Sequence, residues 1–241
     1  MSTPSSDTSR GPRREAGLAI RDEAIAFLSS DTFVRSLEEV LRGDSLARTV
    51  ALRSSFDWQA VLQDMRSDPK WAEERWRLDA GGDVEIVSGS RFDALPAAER
   101  FSWSDSLRKP APDAYALRGL LSALHSDTVL RRFSQADGRR LQYRSADIAR
   151  YRPGHYLRRH DDLYDGRVFG LVFFLHDHWP DGAGTHLVAE KPDGRCAVVE
   201  PRPGTVAMMR LAGEHFHQVE PNTSTDWTRY SIAVHFGEER A

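Results

Sequence analysis

The stretch "YRPGHYLRRHDD", residues 151–162, ends in a histidine and two aspartates. Imidazole and carboxylate are side chains that readily share a divalent cation. If the stretch runs as a strand, successive side chains alternate faces, so His160 and Asp162 point the same way and Asp161 points opposite. One histidine and one carboxylate leave a cation half-held. A second imidazole has to arrive from elsewhere, and eight of the nine histidines lie between His155 and His235. The candidate is His217 in "EHFHQVEPN", with His215 as its rival on the same face. His176 and His178, flanking Asp177, read instead as a turn leaving an apolar strand.

A second constellation stands near the C-terminus. In "RYSIAVHF", Arg229, Ser231, Ala233 and His235 share one face, while Tyr230, Ile232, Val234 and Phe236 share the other. The second face asks for a core. The first carries a guanidinium and a hydroxyl, which an ordinary interior does not bury without a partner. An anionic ligand is such a partner, since the planar fork of arginine engages a carboxylate in two parallel bonds. Two histidines and one carboxylate on one face of an octahedral ion form the facial triad of non-haem Fe(II) sites. Its open positions have room for a bidentate co-substrate and dioxygen.

The elements that must position these residues change character along the chain. "GLAIRDEAIAFLSSDTFVRSLEEVLRG" has helical apolar spacing, broken at Ser30 and Asp31 as a cap between two helices. "DWQAVLQDMRSDPKWAEERWRL" is helical in spacing, interrupted at Asp68-Pro69, and "DVEIVSG" reads as a short strand. "DAYALRGLLSALHSDTVLRRFSQADG" reads as two helices around a Ser-Asp cap. After about residue 140 come short β-rich runs separated by Gly, Pro, Asp and Asn, the pattern of a sandwich or barrel. The expected class is α+β, with helices covering one face of the sheets. Residues 1–16 read as a disordered tail and not as a signal peptide, 17–110 as a mainly helical region packing on the core, and 111–241 as the β-rich core.

The quoted residues, followed by "FFLHDHW", "DGAGTHLV", "EPRPGTVAMM", "HQVEP" and "RYS", resemble the Fe(II)- and 2-oxoglutarate-dependent dioxygenases, in particular the prolyl-4-hydroxylase-like branch. The resemblance runs from about residue 115 to 237, and the order and spacing of the pieces make it specific. It implies a double-stranded β-helix (jelly-roll) core flanked by helices. It puts His160, Asp162 and His217 at the iron-ligand positions. Arg229 and Tyr151 take the positions that hold the distal carboxylate of 2-oxoglutarate, and Ser231 a neighbouring one. The implied reaction couples oxidation of 2-oxoglutarate by dioxygen to succinate and CO₂ with hydroxylation of an unactivated C–H bond. Related halogenases carry a small residue where Asp162 stands, so the carboxylate points to hydroxylation. The chain departs from the family in "GAGTHL", one residue looser than the usual Gly-Gly, and in the long step from His217 to Arg229, where "PNTSTDWT" reads as an insertion.

The remaining candidates have plainer readings. Asp161 is expected to face solvent or to stand behind the metal ligands, and His155 and Tyr156 are left open between packing and function. Arg158 and Arg159 read as a charged strand edge. Cys196 reads as a small strand residue, and Trp58, Trp71, Trp76 and Trp103 mostly as packing. The single cysteine excludes an intramolecular disulfide and favours a reducing, cytoplasmic setting. There is no run of about 18 apolar residues to span a membrane, and no G-x-S-x-G elbow for a serine hydrolase. A net charge of −3 argues against a nucleic-acid substrate. The expected substrate is a small molecule, an amino acid or related metabolite. The alternatives are a prolyl or other side chain in a protein, or a cupin-like protein that binds metal without turnover.

Overall fold

Ser30 breaks the first helical run. Helix α1 (Arg10–Leu28) stops just before it, and the Ser30 hydroxyl accepts from Phe33 N at 3.4 Å to start α2 (Asp31–Arg42). Helix α2 buries Phe33, Leu37, Val40 and Leu41 along one stripe and ends at Gly43, whose φ of 83° closes the last turn. The computed structural model describes residues 10–211 and 213–239. Residues 1–9 of the expected tail lie outside the described residues, and residues 10–16 form the start of α1.

The chain continues as β1 (Ala47–Ala51), α3 (Trp58–Ser67), β2 (Ala72–Leu78), β3 (Val84–Ile86), α4 (Gly89–Ala94) and β4 (Arg100–Ser106). Helices α5 (Tyr115–Leu124) and α6 (Asp127–Asp137) follow, with Ser126 capping α6. The β-rich half gives β5 (Leu141–Tyr151), β6 (Tyr156–His160), β7 (Arg167–Phe174) and β8 (Leu187–Glu190). It ends with β9 (Cys196–Val199), β10 (Thr205–Arg210), β11 (Phe216–Val219) and β12 (Arg229–Glu238). The strands form one antiparallel sheet in the order β1-β10-β7-β12-β5-β4-β6-β11-β8-β9, with β2 and β3 added beside β4. Strand β1 comes close to β9, so the sheet nearly closes into a jelly-roll-like barrel, as the α+β reading expected.

Alternation along β7 and β12 separates two cores. Phe169, Leu171 and Phe173 of β7 and Ile232, Val234 and Phe236 of β12 face the helices, meeting Phe33, Leu117, Leu120 and Phe133. Phe236 stacks on Phe169 with centroids 4.9 Å apart, and Phe133 meets both rings edge-on. Each such side chain stabilises the fold by roughly 1.5–3 kcal/mol on burial. Val172 and Phe174 turn the other way and pack inside the barrel with Leu187, Met209 and Val219. The helices thus fix the outer face and leave the inner one for a site.

Three segments differ from the sequence reading. "WAEERWRL" is not helical: it contains β2, paired with β3 and β4 and tied to β3 by an Arg77–Glu85 ion pair. Cross-strand pairing on both sides overrides the helical spacing. Segments 47–51 and 100–106, for which no strand was expected, are β1 and β4. β1 is mostly exposed, and β4 alternates aromatic residues with serines, so neither shows a simple apolar-polar alternation. The N-terminal part therefore adds strands to the sheet as well as helices to its outside.

Candidate metal and co-substrate site

Strands β6 and β11 pair with His160 opposite His217, which sets the two imidazoles side by side with ring centroids 4.0 Å apart. Strand β6 ends at His160, and Asp162 lies beyond it at φ 54°. Strand alternation is therefore not what aligns His160 with Asp162. A left-handed turn, which aspartate tolerates better than most residues, swings the carboxylate round. Asp162 Oδ1 lies 3.7 Å from His160 Nε2, and Oδ2 lies 3.4 Å from His217 Nε2. One donor atom from each of the three lies within 4.8 Å of the others, a spacing suited to a single cation. His215 precedes β11 and is outside this group.

The protonation states fit such a cation. Burial would raise the pKa of Asp162, but the surrounding His160, His217 and His235 imidazoles outweigh it and hold the group well below the usual carboxylate range. Burial, reinforced by the neighbouring His160, pushes His217 down to about 4 against the opposing pull of Asp162. His217 is then a neutral imidazole at neutral pH, as a metal ligand must be. The Arg158 carbonyl, 2.7 Å from His160 Nδ1, accepts the proton there and leaves the Nε2 lone pair facing Asp162 and His217.

Arg229 on β12 sits opposite Tyr151 on β5 and is 1% exposed. Its Nη1 donates to the Thr185 carbonyl at 2.6 Å, its Nε is buried with no partner, and no carboxylate among the described residues pairs with it. The guanidinium lies 5.2 Å from the Tyr151 ring and 4.8 Å from that of Phe174, and burial pushes its pKa down to about 10. Thr185 holds a left-handed φ of 60° with its hydroxyl also buried and unpaired. Asn222, in the loop read as an insertion, donates from Nδ2 to the Tyr151 and Trp227 carbonyls, both at 2.9 Å. That loop therefore braces the Tyr151 end of β5 and the entry to β12. Arg229, Tyr151 and Ser231 line one cavity of about 790 Å³ together with His160, Asp162 and His217.

Three side chains around Asp162 were not picked out as site residues. Arg167 Nη1 stands 3.2 Å from Asp162 Oδ1, His235 Nε2 stands 3.2 Å from Oδ2, and Ser145 connects the two. The face shared by Arg229, Ser231 and His235 was the available signal for His235.

The remaining candidates are not part of the three-donor cluster, although Arg159 and Asp161 also line the cavity. His176 Nε2 faces the Pro201 carbonyl at 2.7 Å and Asp177, at a bend after β7, pairs with Arg66 at 2.6 Å, so these side chains are engaged away from the cation site. His155 packs against Trp103 at 4.6 Å between ring centroids, and the Tyr156 hydroxyl donates to the Arg100 carbonyl at 3.2 Å. Arg159 lies over the Phe216 ring and pairs with Glu190, and Arg158 donates to the Ala98 carbonyl. Asp161 accepts from Leu163 N, Cys196 is exposed, and Trp76 alone of the four N-terminal tryptophans lines the cavity.

Comparison with known proteins agrees with this geometry. Residues 146–237 match the family model of the 2OG-Fe(II) oxygenase superfamily. The family uses Fe(II), 2-oxoglutarate and dioxygen for oxidoreductase chemistry, as the sequence resemblance implied. Prolyl 3-hydroxylase sudestada1 of Drosophila melanogaster is 29% identical over 105 residues, covering 39% of this chain and 20% of that protein. The match thus spans about a fifth of the length of that relative. Among solved structures, a 2OG-Fe(II) oxygenase family oxidoreductase from Burkholderia pseudomallei superimposes with a TM-score of 0.59 at 17% identity, covering 88% of this chain and 94% of that one. A Pseudomonas putida prolyl-4-hydroxylase gives 0.58 at 20% identity, covering 86% and 100%. At these identities both show the shared fold. Among the described residues no helix is long and apolar enough to cross a membrane.

Proposed function

We propose that the chain is an Fe(II)- and 2-oxoglutarate-dependent hydroxylase, with His160, Asp162 and His217 as metal ligands, Arg229 and Tyr151 receiving the distal carboxylate of 2-oxoglutarate, and Ser231 at a neighbouring co-substrate position. The observation that carries this reading is Arg229. It is a buried cation with an unpaired N–H and no carboxylate among the described residues beside it, in the same cavity as a three-donor cation site. A dicarboxylate with one end at the cation and the other at Arg229 satisfies both. Iron bound there would supply the oxidant that couples cleavage of 2-oxoglutarate to succinate and CO₂ with placing one oxygen atom of dioxygen into a C–H bond. The chain's own residues hold the reactants: the Tyr151 and Phe174 rings keep water from the guanidinium, and the Thr185 carbonyl aims it.

The substrate side of the cavity is built by β2 and β4, through Glu74, Trp76 and Leu78 and through Ser102, Ser104 and Ser106. Val84 and Tyr164, which also line it, are 46% and 60% exposed. An apolar rim open to solvent suits a side chain carried on a polypeptide. Resemblance to prolyl hydroxylases supports a prolyl side chain as the reacting group. The test is succinate release from 2-oxoglutarate in the presence of iron, comparing proline-containing peptides with free amino acids. Stimulation by peptides supports the reading, stimulation by free amino acids alone moves the substrate to a small molecule, and no 2-oxoglutarate turnover with any of them contradicts the hydroxylase reading.

A further inference from the structure

Behind Asp162 runs a ring of polar contacts that the reaction above does not use. Two of them are hydrogen bonds through Ser145, and two are close approaches of a cation or N–H group to the carboxylate. Arg167 Nη2 donates to Ser145 Oγ at 3.0 Å, which leaves the Ser145 hydroxyl proton for His235 Nδ1, also at 3.0 Å. With Nε2 facing the Asp162 carboxylate, which only accepts, the Nε2–H tautomer of His235 suits both neighbours. Its Nε2 stands 3.2 Å from Asp162 Oδ2, and Arg167 returns to the same carboxylate with Nη1 3.2 Å from Oδ1. Each Asp162 oxygen therefore has one outer group beside it, the His235 imidazole at Oδ2 and the Arg167 guanidinium, held by charge, at Oδ1. Asp147 also approaches His235 Nδ1, but at 3.5 Å and with its side chain 65% exposed it competes weakly with Ser145.

The sheet sets this ring in place. Ser145 on β5 and Gly170 on β7 are the register partners of His235 on β12, and His235 is 3% exposed. A Cβ at Gly170 would meet His235 Cδ2 at 3.6 Å, so the imidazole fills its slot. Asp162, by contrast, projects from a left-handed residue past the end of β6, and the terminal torsion of an aspartate is broad. Its carboxylate needs holding.

We propose that His235 is a positioning residue for Asp162: its Nε2–H pins one carboxylate oxygen and, with Arg167 on the other, keeps the group turned toward His160 and His217. This rests on the assignment of those three residues as metal ligands. Removing a side chain that orients a metal ligand typically weakens metal binding ~10–100-fold.

The test is anaerobic titration of the apo-protein with Co(II), read from the visible d–d absorption of the bound ion. It compares wild type, His160→Ala, His235→Leu, His235→Gln and Ser145→Ala, with near-ultraviolet circular dichroism on each apo form. His235→Leu is expected to bind Co(II) about 10–100-fold more weakly with a changed band shape. His235→Gln keeps an N–H donor and is expected to recover most of the affinity, which loss of packing alone would not explain. Ser145→Ala falls between. If His235→Leu binds Co(II) with wild-type affinity and spectrum, the inference is overturned while the ligand assignment stands. If wild type binds no Co(II), or His160→Ala binds it equally well, the assignment and the inference fall together. Should His235→Leu not fold, Ser145→Ala decides, and unchanged binding there overturns the proposal.

Discussion

Arg229 and Asp162 are both buried charges, but they are satisfied differently. Asp162 is surrounded by donors, whereas Arg229 has one carbonyl and two aromatic rings. Replacing Arg229 with lysine keeps the charge and loses the fork, so 2-oxoglutarate binding should weaken by about 10–100-fold. Metal affinity measured on the same variant should stay near wild type, and a parallel loss of both would count against a co-substrate role. His176 gives a residue-scale pH prediction. Burial pushes it down to about 4 from 6.5, against the Pro201 carbonyl. The unfolded chain therefore takes up this proton at higher pH than the folded one. The associated stability is complete above the ordinary histidine range and is lost as pH falls, by about 3 kcal/mol once pH reaches about 4. Urea melts of wild type and His176→Gln between neutral and acid pH should converge on acidification, and a constant gap would contradict the burial argument. His160, Asp162, His217 and Arg229 could be read from the sequence because each falls within a short string of recognisable spacing. Arg167 and Ser145 could not, since they reach Asp162 only through the pairing of β5, β7 and β12, which no local pattern specifies.

At the scale of elements, caps and faces were legible where the signal was local. Ser30 and Ser126 stop and restart helices as their side chains suggest, and the apolar face of β12 meets the helices. Strand β2 was misread because its apolar residues mimic a helix until β3 and β4 pair with it. That correction has a functional consequence, because β2 puts Trp76 and Leu78 on the cavity wall. Trp76→Ala should raise the KM for the substrate while leaving 2-oxoglutarate and metal binding unchanged. Equal effects on all three would mean that β2 supports the site only through the fold. Helices α1 and α5 supply a stability test. A Cβ at Gly119 would stand 2.2 Å from the Gly17 carbonyl oxygen, so Gly119→Ala must push the two helices apart. A cost of about 1–3 kcal/mol is expected in denaturant melts, and an unchanged midpoint would show that the helices part freely.

For the whole molecule, the helices cover the outer face of the nearly closed sheet, and the cavity opens on the inner face between the barrel and β2–β4. Segments from both halves of the chain line it, so the proposed substrate and co-substrate sites are parts of one unit. The claim that joins them is that one cavity holds a metal ion at His160, Asp162 and His217 and 2-oxoglutarate against Arg229. The most direct measurement is anaerobic addition of Fe(II) and then 2-oxoglutarate to the purified apo-protein, following the visible charge-transfer absorption of the keto acid chelated to iron. The expected result is a band in wild type that is absent in His160→Ala and needs far more 2-oxoglutarate in Arg229→Ala. A folded wild-type protein that gives no band, or an Arg229→Ala variant that saturates like wild type, would contradict it.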